Sequence, residues 1–233
     1  MREEASESMQ DYLKGIYLIN RESGEPVSTS ELAKKVGVSA PTVTSMLVKL
    51  GEKKFIKYEK YKGATLTKKG ETIALEVLRH HRLIETYLVE FLGYDWSEVH
   101  EEADVLEHHI SEELERRIAN ALGNPKYGLY GAPIPSADLA SIAKDETTKL
   151  GEHSPGDLVV IERVKENYIG SENSPRTRDS EELQYLAGIG ITPGEKVKVE
   201  HVAPFGMITV SNKKGKHSLP KEVSMSIQVK KIE

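Results

Sequence analysis

The stretch STSELAKKVGVSAPTVTSMLVKLGEKK, residues 28–54, decides the fold of the first part of the chain. Ser28 and Glu31 have the spacing of a capping box, which predicts that a helix begins directly after Ser28. Gly37 ends this helix, and a second helix follows with Pro41 in its first turn, where proline is tolerated. Two short helices joined by a tight turn are typical of a helix-turn-helix.

The flanking segments complete a winged helix-turn-helix. Upstream, residues 9–20 have the apolar spacing of a first helix, which the stretch "ESGEP" ends. Downstream, "FIKYEKYKGATLTKKG", residues 55–70, predicts two short strands around Lys62 and Gly63. We therefore predict a winged helix-turn-helix DNA-binding domain over residues 1–70. The alternative interpretation is an amphipathic helical hairpin with no role in DNA binding.

Charge is distributed unevenly along the chain. The formal net charge of the 233 residues is −5, but residues 25–69 contain ten Lys and four Glu, a local balance of +6 that leaves −11 elsewhere. A basic segment joined to an acidic remainder is expected where one part of a protein meets phosphate. We predict base-edge contacts from Ser39, Pro41, Thr42 and Ser45. We predict phosphate contacts from Lys49, Lys57, Lys60 and Lys62.

The sequence of the rest of the chain predicts helices followed by strands. Residues 71–122 have a long helical pattern, and the segment that follows is rich in Gly and Pro and predicts a loop. Residues 141–156 are polar and predict a linker. Within residues 157–233, four apolar or alternating segments predict the strands of a small β-barrel of SH3-like size. The predicted fold class is mainly α with a small β domain.

Composition limits the possible functions. The chain has no Cys, which excludes disulfides and thiolate metal sites. The acidic N-terminus has no apolar signal region, and no apolar run reaches the length of a membrane span, so we expect a cytoplasmic protein without a membrane partner. Because no HExxH motif, nucleophile elbow or P-loop is present, we expect neither an enzyme nor an organic substrate.

Metal-binding residue types cluster in three helical segments. In "VHEEADVLEHHISEELERR", residues 99–117, a polar helix face borders an apolar stripe; it carries His100, Asp104, Glu107 and His108. "RHHRLIE" places His81 and Glu85 one helical turn apart, and Asp11 is a lone carboxylate on the first helix. Imidazole and carboxylates without thiolate suit Mn(II), Fe(II), Co(II), Ni(II) or Zn(II). The alternative interpretation is a solvated helix surface.

Several of these motifs together resemble one family. "SMQDYLKGIY", "VSAPTVTSMLVKL", "LTKKG", "RHHRLIE" and "VHEEADVLEHHIS" are similar to the diphtheria-toxin-repressor family of metal-dependent transcriptional regulators. The resemblance covers nearly the whole chain. It implies a helical dimerisation and metal-binding domain over residues 71–140 and a C-terminal SH3-like (FeoA-like) domain. It also implies a homodimer that represses metal-homeostasis genes on double-stranded operator DNA when Fe(II) or Mn(II) links the DNA-binding and dimerisation domains.

The resemblance further implies two metal sites. The primary site would consist of Asp11, Asp104, Glu107 and His108. The ancillary site would consist of His81, Glu85 and His100, with Asp179 and Glu182 added from the C-terminal domain. The neighbouring histidines His80 and His109 have a register that points elsewhere and are not included.

The sequence departs from both branches of the family. Iron-responsive members commonly have sulfur ligands at the positions of Asp11 and Asp104, whereas manganese-responsive members have a Glu where this chain has Lys14. Fe(II) and Mn(II) therefore both remain candidates. Two other functions stay open at this point: a winged-helix regulator that senses a different ligand, and a metal-dependent hydrolase.

Overall fold

The computed structural model describes residues 4–140, 142, 146–164 and 176–232, with the side chains of residues 176–180 excepted. The chain divides into two compact units. Among the described residues, the first contains residues 4–126, 134–140 and 142, and the second contains residues 127–133, 146–164 and 177–232.

The first unit begins with three helices: α1 (Glu7–Ser23), α2 (Thr29–Val36) and α3 (Ala40–Glu52). Their apolar faces form one core, and α1 packs against both α2 and α3. The predicted capping box is present: the Ser28 hydroxyl accepts from the Glu31 amide at 3.2 Å, and the Glu31 carboxylate accepts from the Ser28 amide at 3.0 Å. Gly37 has a φ of 72°, the left-handed conformation that the turn before α3 requires.

The wing follows α3. Strands β1 (Ile56–Glu59) and β2 (Gly63–Leu66) pair antiparallel, in the register that places Glu59 opposite Gly63. Gly63 has a φ of 100°, and a Cβ there would lie 2.8 Å from the Val27 carbonyl oxygen, so this position requires glycine. A bridge between Val27 and Ala64 attaches the wing to the start of α2. The predicted winged helix-turn-helix is therefore confirmed.

Three further helices complete the first unit: α4 (Lys68–Leu92), α5 (Val99–Leu106) and α6 (Glu112–Ala121). Helix α4 has buried residues along most of its length and packs against α1, α5 and α6. The long pattern after Glu71 predicted one continuous helical face through His108, but α5 ends at Leu106, and the next three residues form a turn. This turn determines where two of the predicted metal ligands lie.

The second unit is built on a six-stranded antiparallel sheet. The strands are β3 (Thr148–Lys149), β4 (Leu158–Arg163), β5 (Lys196–Val202), β6 (Ile208–Asn212), β7 (Gly215–Leu219) and β8 (Gln228–Lys231). Their order is β3-β8-β4-β5-β6-β7. Two helices, α7 (Arg176–Gly188) and α8 (Lys221–Ser226), and two short 3₁₀ segments accompany them. Buried aliphatic residues from alternate strand positions form the core, among them Val159, Ile161, Val197, Val199 and Val210.

The sheet corrects the prediction of a β-barrel. Within the described residues, β3 and β7 are the two edges of the sheet and do not pair with each other, so the sheet is open. Part of the predicted linker, residues 141–156, belongs to this unit, because β3 lies within it and pairs with β8. A strand of two residues has no periodicity that a sequence pattern could reveal. In the part of the chain that the structure describes, no helix combines the length and apolar character needed to cross a membrane.

Candidate metal centre

One group of potential ligands joins α1 to the turn after α5. Asp11 lies on α1, and Glu107 and His108 are the first residues of the turn. One ligand atom from each of the three lies within 4.8 Å of the others. The Nε2 atom of His108 lies 3.1 Å from Asp11 Oδ1 and 3.4 Å from Glu107 Oε1. We refer to these three residues as the α1 group.

Gln10 fixes the orientation of the His108 ring. Its amide nitrogen donates to the carbonyl oxygen of Ala5 at 3.0 Å, and its amide oxygen lies 2.8 Å from His108 Nδ1. Because the Ala5 carbonyl can only accept, the Gln10 oxygen faces the ring, and Nδ1 must carry the proton of this hydrogen bond. The Nε2 atom then faces Asp11 and Glu107, the orientation from which it could bind a metal ion together with them.

A second group of potential ligands lies between α4 and α5. His81, His100 and Asp104 each offer a ligand atom within 4.8 Å of the others. Glu85, one turn after His81, adds a carboxylate whose Oε1 lies 3.0 Å from His81 Nε2 and 2.9 Å from His100 Nδ1. We refer to these four residues as the α4 group. His81 and Glu85 are almost completely buried.

The residues present fit a divalent metal ion. Glu85 Oε2 and His100 Nε2 are buried and have no hydrogen-bond partner, a costly arrangement for polar atoms unless they bind something. The donor atoms in both groups are carboxylate oxygens and imidazole nitrogens, the set that suits divalent ions such as Mn(II) and Fe(II). The solvated helix surface considered above does not describe these buried side chains.

Lys14 lies between the two groups. Its ammonium nitrogen is 2.6 Å from Glu107 Oε1 and 3.5 Å from Asp104 Oδ1, and only 1% of its side chain is exposed. The other oxygen of Glu107 lies 2.5 Å from His81 Nδ1. Glu107 and Lys14 thus connect the α1 group to the α4 group.

These contacts determine the protonation of the metal-free network. Burial alone would lower the pKa of Lys14, but nearby carboxylates, chiefly Glu107, hold it above its ordinary value. Burial likewise opposes the charge of His81, yet Glu85 and Glu107 raise its pKa to about 10. Burial would raise the pKa of Glu107, which Lys14 and His81 instead lower to about 2. Charged pairs among Lys14, His81 and Glu107 therefore hold the network together.

A second network supports the turn that carries Glu107. His80 Nδ1 lies 3.0 Å from the Glu107 carbonyl oxygen, and its Nε2 lies 3.2 Å from the Glu115 carboxylate. Arg79 donates to Glu115 at 2.6 Å and to the carbonyl of Pro135 at 2.7 Å. His80 lies on α4 and is not among the predicted ligands. Its hydrogen bond to the Glu107 carbonyl holds the backbone of a predicted ligand in place.

One predicted ligand of the primary site lies next to residues of the ancillary site. Asp104 was predicted for the primary site; its carboxylate lies 3.4 Å from His81 Nδ1 and 3.7 Å from His100 Nε2, and it shares Lys14 with Glu107, so its assignment to the primary site stays a prediction. Asp104 lies within α5, which ends at Leu106, whereas Glu107 and His108 lie on the turn that follows. His109 is exposed, as its exclusion from the sites requires.

The two ligands assigned to the C-terminal domain stay a prediction. Both lie on α7, in the second unit. Glu182 is half-buried there, and the side chain of Asp179 lies outside the described residues.

The predicted DNA-contacting side chains are all exposed. They lie on α3 and its N-cap and on the wing: Ser39, Pro41, Thr42, Ser45, Lys49, Lys57, Lys60 and Lys62. Ser39 also has a structural role, because its hydroxyl caps α3 and lies 2.8 Å from that of Thr42. At the wing tip, Lys62 forms an exposed pair with Glu59, a contact too weak to prevent binding to phosphate.

Two residues of α1 that contact predicted ligands, Gln10 and Lys14, were not among the predicted site residues. A signal for both was present. With Leu13 and Tyr17 they follow the i, i+3, i+4, i+7 spacing of the face of α1 that packs into the protein. Polar residues on such a face need partners, and here their partners are predicted metal ligands.

Three family models match the chain in sequence order. The model described as "Iron dependent repressor, N-terminal DNA binding domain" matches residues 4–64. The model described as "Iron dependent repressor, metal binding and dimerisation domain" matches residues 67–136, and the FeoA domain matches residues 148–231. The first match contains the winged helix-turn-helix, the second contains the α4 group, and the third contains the sheet.

Full-length relatives agree with these matches. The iron-dependent repressor IdeR of Mycobacterium tuberculosis is 30% identical over 240 residues, covering 98% of this chain and 99% of the relative. The diphtheria toxin repressor of Corynebacterium glutamicum is 26% identical over 222 residues, with 95% of each chain covered.

Solved structures of manganese-dependent repressors are also similar to this chain. A manganese-dependent transcriptional repressor in complex with manganese is 36% identical, with a TM-score of 0.83 over 96% of this chain and 100% of the other. ScaR with bound Zn²⁺ is 28% identical, with a TM-score of 0.77 over 96% of this chain and 99% of the other.

Proposed function

We infer the function of this chain from the family to which it belongs, the iron- and manganese-dependent transcriptional repressors related to the diphtheria toxin repressor. These proteins are regulators rather than enzymes. We propose that this chain represses metal-homeostasis genes from the cytoplasm, as a homodimer on double-stranded operator DNA, with Fe(II) or Mn(II) as the corepressor.

The observation that carries this proposal is the position of the α1 group. Asp11 belongs to a helix that packs in the core of the winged helix-turn-helix, whereas Glu107 and His108 follow α5 in the helical region predicted to dimerise. A divalent ion bound by all three would act as a cross-link between these two parts of the chain. The position of α1, and with it that of α3, would then depend on whether the three ligands converge.

In a two-fold dimer, this dependence would set the separation of the two α3 helices. Recognition helices must lie about 34–36 Å apart to enter successive major grooves. Ligands that bind the ion about 100-fold more tightly in the DNA-binding arrangement would favour that arrangement by roughly 2.7 kcal/mol. Such a shift would change a state populated at about 10% into the dominant one, at about 90%.

The ligands suit both candidate metals. All donors in the α1 group are oxygen or imidazole nitrogen, so no sulfur favours a softer ion. We therefore expect Fe(II) and Mn(II) both to activate the protein in vitro. The relatives named above include both iron-dependent and manganese-dependent repressors.

The proposed DNA contacts come from α3 and the wing. Ser39, Pro41, Thr42 and Ser45 are short side chains that make few strong hydrogen bonds to bases, so specificity should rest partly on thymine methyl contacts and DNA shape. Lys49, Lys57, Lys60 and Lys62 supply positive charge for the phosphates on both sides of the groove.

The test compares two neighbouring histidines. DNA binding is measured by fluorescence anisotropy on the protein's own promoter region, with Mn(II), with anaerobic Fe(II) and with a chelator. His108→Ala should abolish the metal-dependent increase in DNA affinity, because a ligand of the α1 group is lost. His109→Ala is the matched control, since its ring is exposed and lies 3.6 Å from Glu7, outside both groups. A full metal response in His108→Ala would refute the assignment, and no metal response in the wild type would refute the proposed function.

A further inference from the structure

Thr148, His153 and Asp157 form a continuous chain of hydrogen bonds in the second unit. The hydroxyl oxygen of Thr148 lies 2.8 Å from His153 Nε2, and His153 Nδ1 lies 3.0 Å from Asp157 Oδ2. A hydroxyl, an imidazole and a carboxylate in this order are the arrangement in which a histidine activates a nucleophile. We refer to these three residues as the Thr148 triad.

Two turns bring the residues of the triad together. Thr148 lies on the edge strand β3, and a 3₁₀ segment, Leu150–Glu152, places His153 beside it. A second turn closes between Ser154 and Asp157. The Asp157 amide donates to the Ser154 carbonyl at 3.1 Å, and the Ser154 amide donates to Asp157 Oδ2 at 3.2 Å. Local backbone structure therefore positions all three side chains.

Asp157 orients the imidazole of His153. Lys231 donates to Asp157 Oδ1 at 2.6 Å, and hydrogen bonds, first from Lys231, lower the pKa of Asp157 to about 2. An ionised carboxylate can only accept, so the proton shared with His153 lies on Nδ1. Whenever the ring is neutral, its free lone pair is then on Nε2, the atom that faces the Thr148 hydroxyl. This is the tautomer that a general base requires.

The hydroxyl of the triad is accessible, and the base is sheltered. Thr148 is exposed, whereas only 8% of the His153 side chain and 17% of the Asp157 side chain are exposed. The hydroxyl also lies 3.4 Å from the carbonyl oxygen of Val229 on the neighbouring strand, a longer contact than the one with His153. A reagent in solution can therefore reach the hydroxyl while the histidine stays in place behind it.

We propose that Thr148 is a covalent modification site, at which activated acyl donors acylate the hydroxyl with His153 as the general base. The Thr148 oxygen attacks the acyl carbon while its proton moves to His153 Nε2. The bond from the acyl carbon to the leaving group then breaks, and the leaving group departs with the bonding electrons and takes that proton. An acyl ester on Thr148 remains. The site contains none of the proposed metal ligands, so this inference goes beyond the proposed function.

Reaction with p-nitrophenyl acetate tests this proposal on the full-length protein. Nitrophenolate release is measured by absorbance, and the acetyl group is located by peptide mass spectrometry after quenching in acid. Hydroxylamine removes an ester from Thr148 but not the amides formed on lysines, and EDTA in every sample excludes catalysis by bound metal. In the wild type we expect a hydroxylamine-labile acetyl group on Thr148.

Four variants separate an activated hydroxyl from a merely exposed one. His153→Gln keeps a polar side chain beside Thr148 but removes the base, and should slow acetylation about 100-fold or more, since general-base catalysis contributes roughly 10²–10⁴-fold. Asp157→Asn removes the charge that stabilises the imidazolium and should also slow the reaction. Thr148→Ser keeps a hydroxyl and should retain it. Thr209→Ala is the matched control, since that hydroxyl lies 2.9 Å from the hydroxyl of Ser218, and the wild-type rate is expected.

Two results would overturn the proposal. One is the absence of an acetyl ester on Thr148 in the wild type. The other is an unchanged rate of acetylation in His153→Gln, with circular dichroism showing that the variant is folded, because the hydroxyl would then react without help from the base. Neither result bears on metal-dependent repression, because the proposed metal ligands and DNA contacts are unchanged in every variant.

Discussion

Replacing Gln10 by leucine would test whether a side chain outside the ligand set controls metal affinity. Gln10 is buried on α1 and connects the carbonyl of Ala5 to Nδ1 of His108 through two hydrogen bonds. Leucine has a similar volume, so the core stays filled, but both hydrogen bonds are lost. The His108 ring would then lose the partner that determines its tautomer and its orientation.

Two magnitudes follow from these contacts. Loss of a partner that orients a ligating histidine typically lowers metal affinity 10- to 100-fold, which corresponds to about 1.4–2.7 kcal/mol. Each buried polar group left without a partner costs about 1–3 kcal/mol of folding stability. Gln10→Leu should therefore weaken metal binding at the α1 group and also lower the free energy of unfolding, with Asp11, Glu107 and His108 all still present.

The assay is a competition for Mn(II) between the protein and a fluorescent chelator, with urea unfolding measured in parallel. Asn20→Leu is the matched control. It removes a side-chain amide from the same helix, but that amide donates to the carbonyl of Glu25, away from the ligands. If Gln10→Leu binds Mn(II) within about twofold of the control, the hydrogen bond to His108 does not set the affinity, and this reasoning is refuted.

Three other predictions concern the DNA, the ligand Asp104 and the second unit. Replacing Lys60 and Lys62 together by alanine should reduce the slope of log affinity against log salt by about 0.9 for each lysine; an unchanged slope would mean that the wing does not contact the DNA backbone. Asp104→Cys should strengthen the DNA-binding response to Co(II), Ni(II) and Zn(II) relative to Mn(II), because thiolate is a softer ligand; an unchanged order of metals would exclude Asp104 as a ligand. Hydrogen bonds, first from Lys231, lower the pKa of Asp157 from 3.8 to about 2, so Asp157→Asn should destabilise the protein above about pH 4. This loss should fade as the pH falls towards 2, and urea unfolding across that range that shows a constant difference would contradict it.

The first unit could be predicted from the sequence because its signals are local. The capping box at Ser28, the turn at Gly37 and the hairpin at Gly63 each depend on neighbouring residues, and each is present in the structure. The sheet of the second unit was predicted less completely. Strand β3 has two residues, and β7 has an exposed, polar sequence, so the partner strands determine that both segments are extended.

Helical spacing predicted which side chains lie close together, but not which neighbours each of them has. Helical spacing correctly selected residues that face one another, yet the grouping depends on where α5 ends. A helix that continued past Leu106 would keep Asp104 on one face with Glu107 and His108. No glycine or proline marks this end; the Glu107 carbonyl instead lies 3.0 Å from His80 Nδ1, a tertiary contact that a local pattern does not contain.

Helix α1 combines three properties that different side chains control. In the proposed sites, Asp11 is a ligand, Gln10 orients His108, and Lys14 pairs with one carboxylate of each group. These roles predict distinct consequences for substitution: Gln10→Leu should lower the affinity for metal with every proposed ligand still present, whereas a substitution at Asp11 removes a proposed ligand. Because α1 also packs against α3, either change reaches the DNA-binding surface through the same helix. The sensitivity of repression to metal can therefore change through α1 while the DNA-contacting residues of α3 and the wing stay the same.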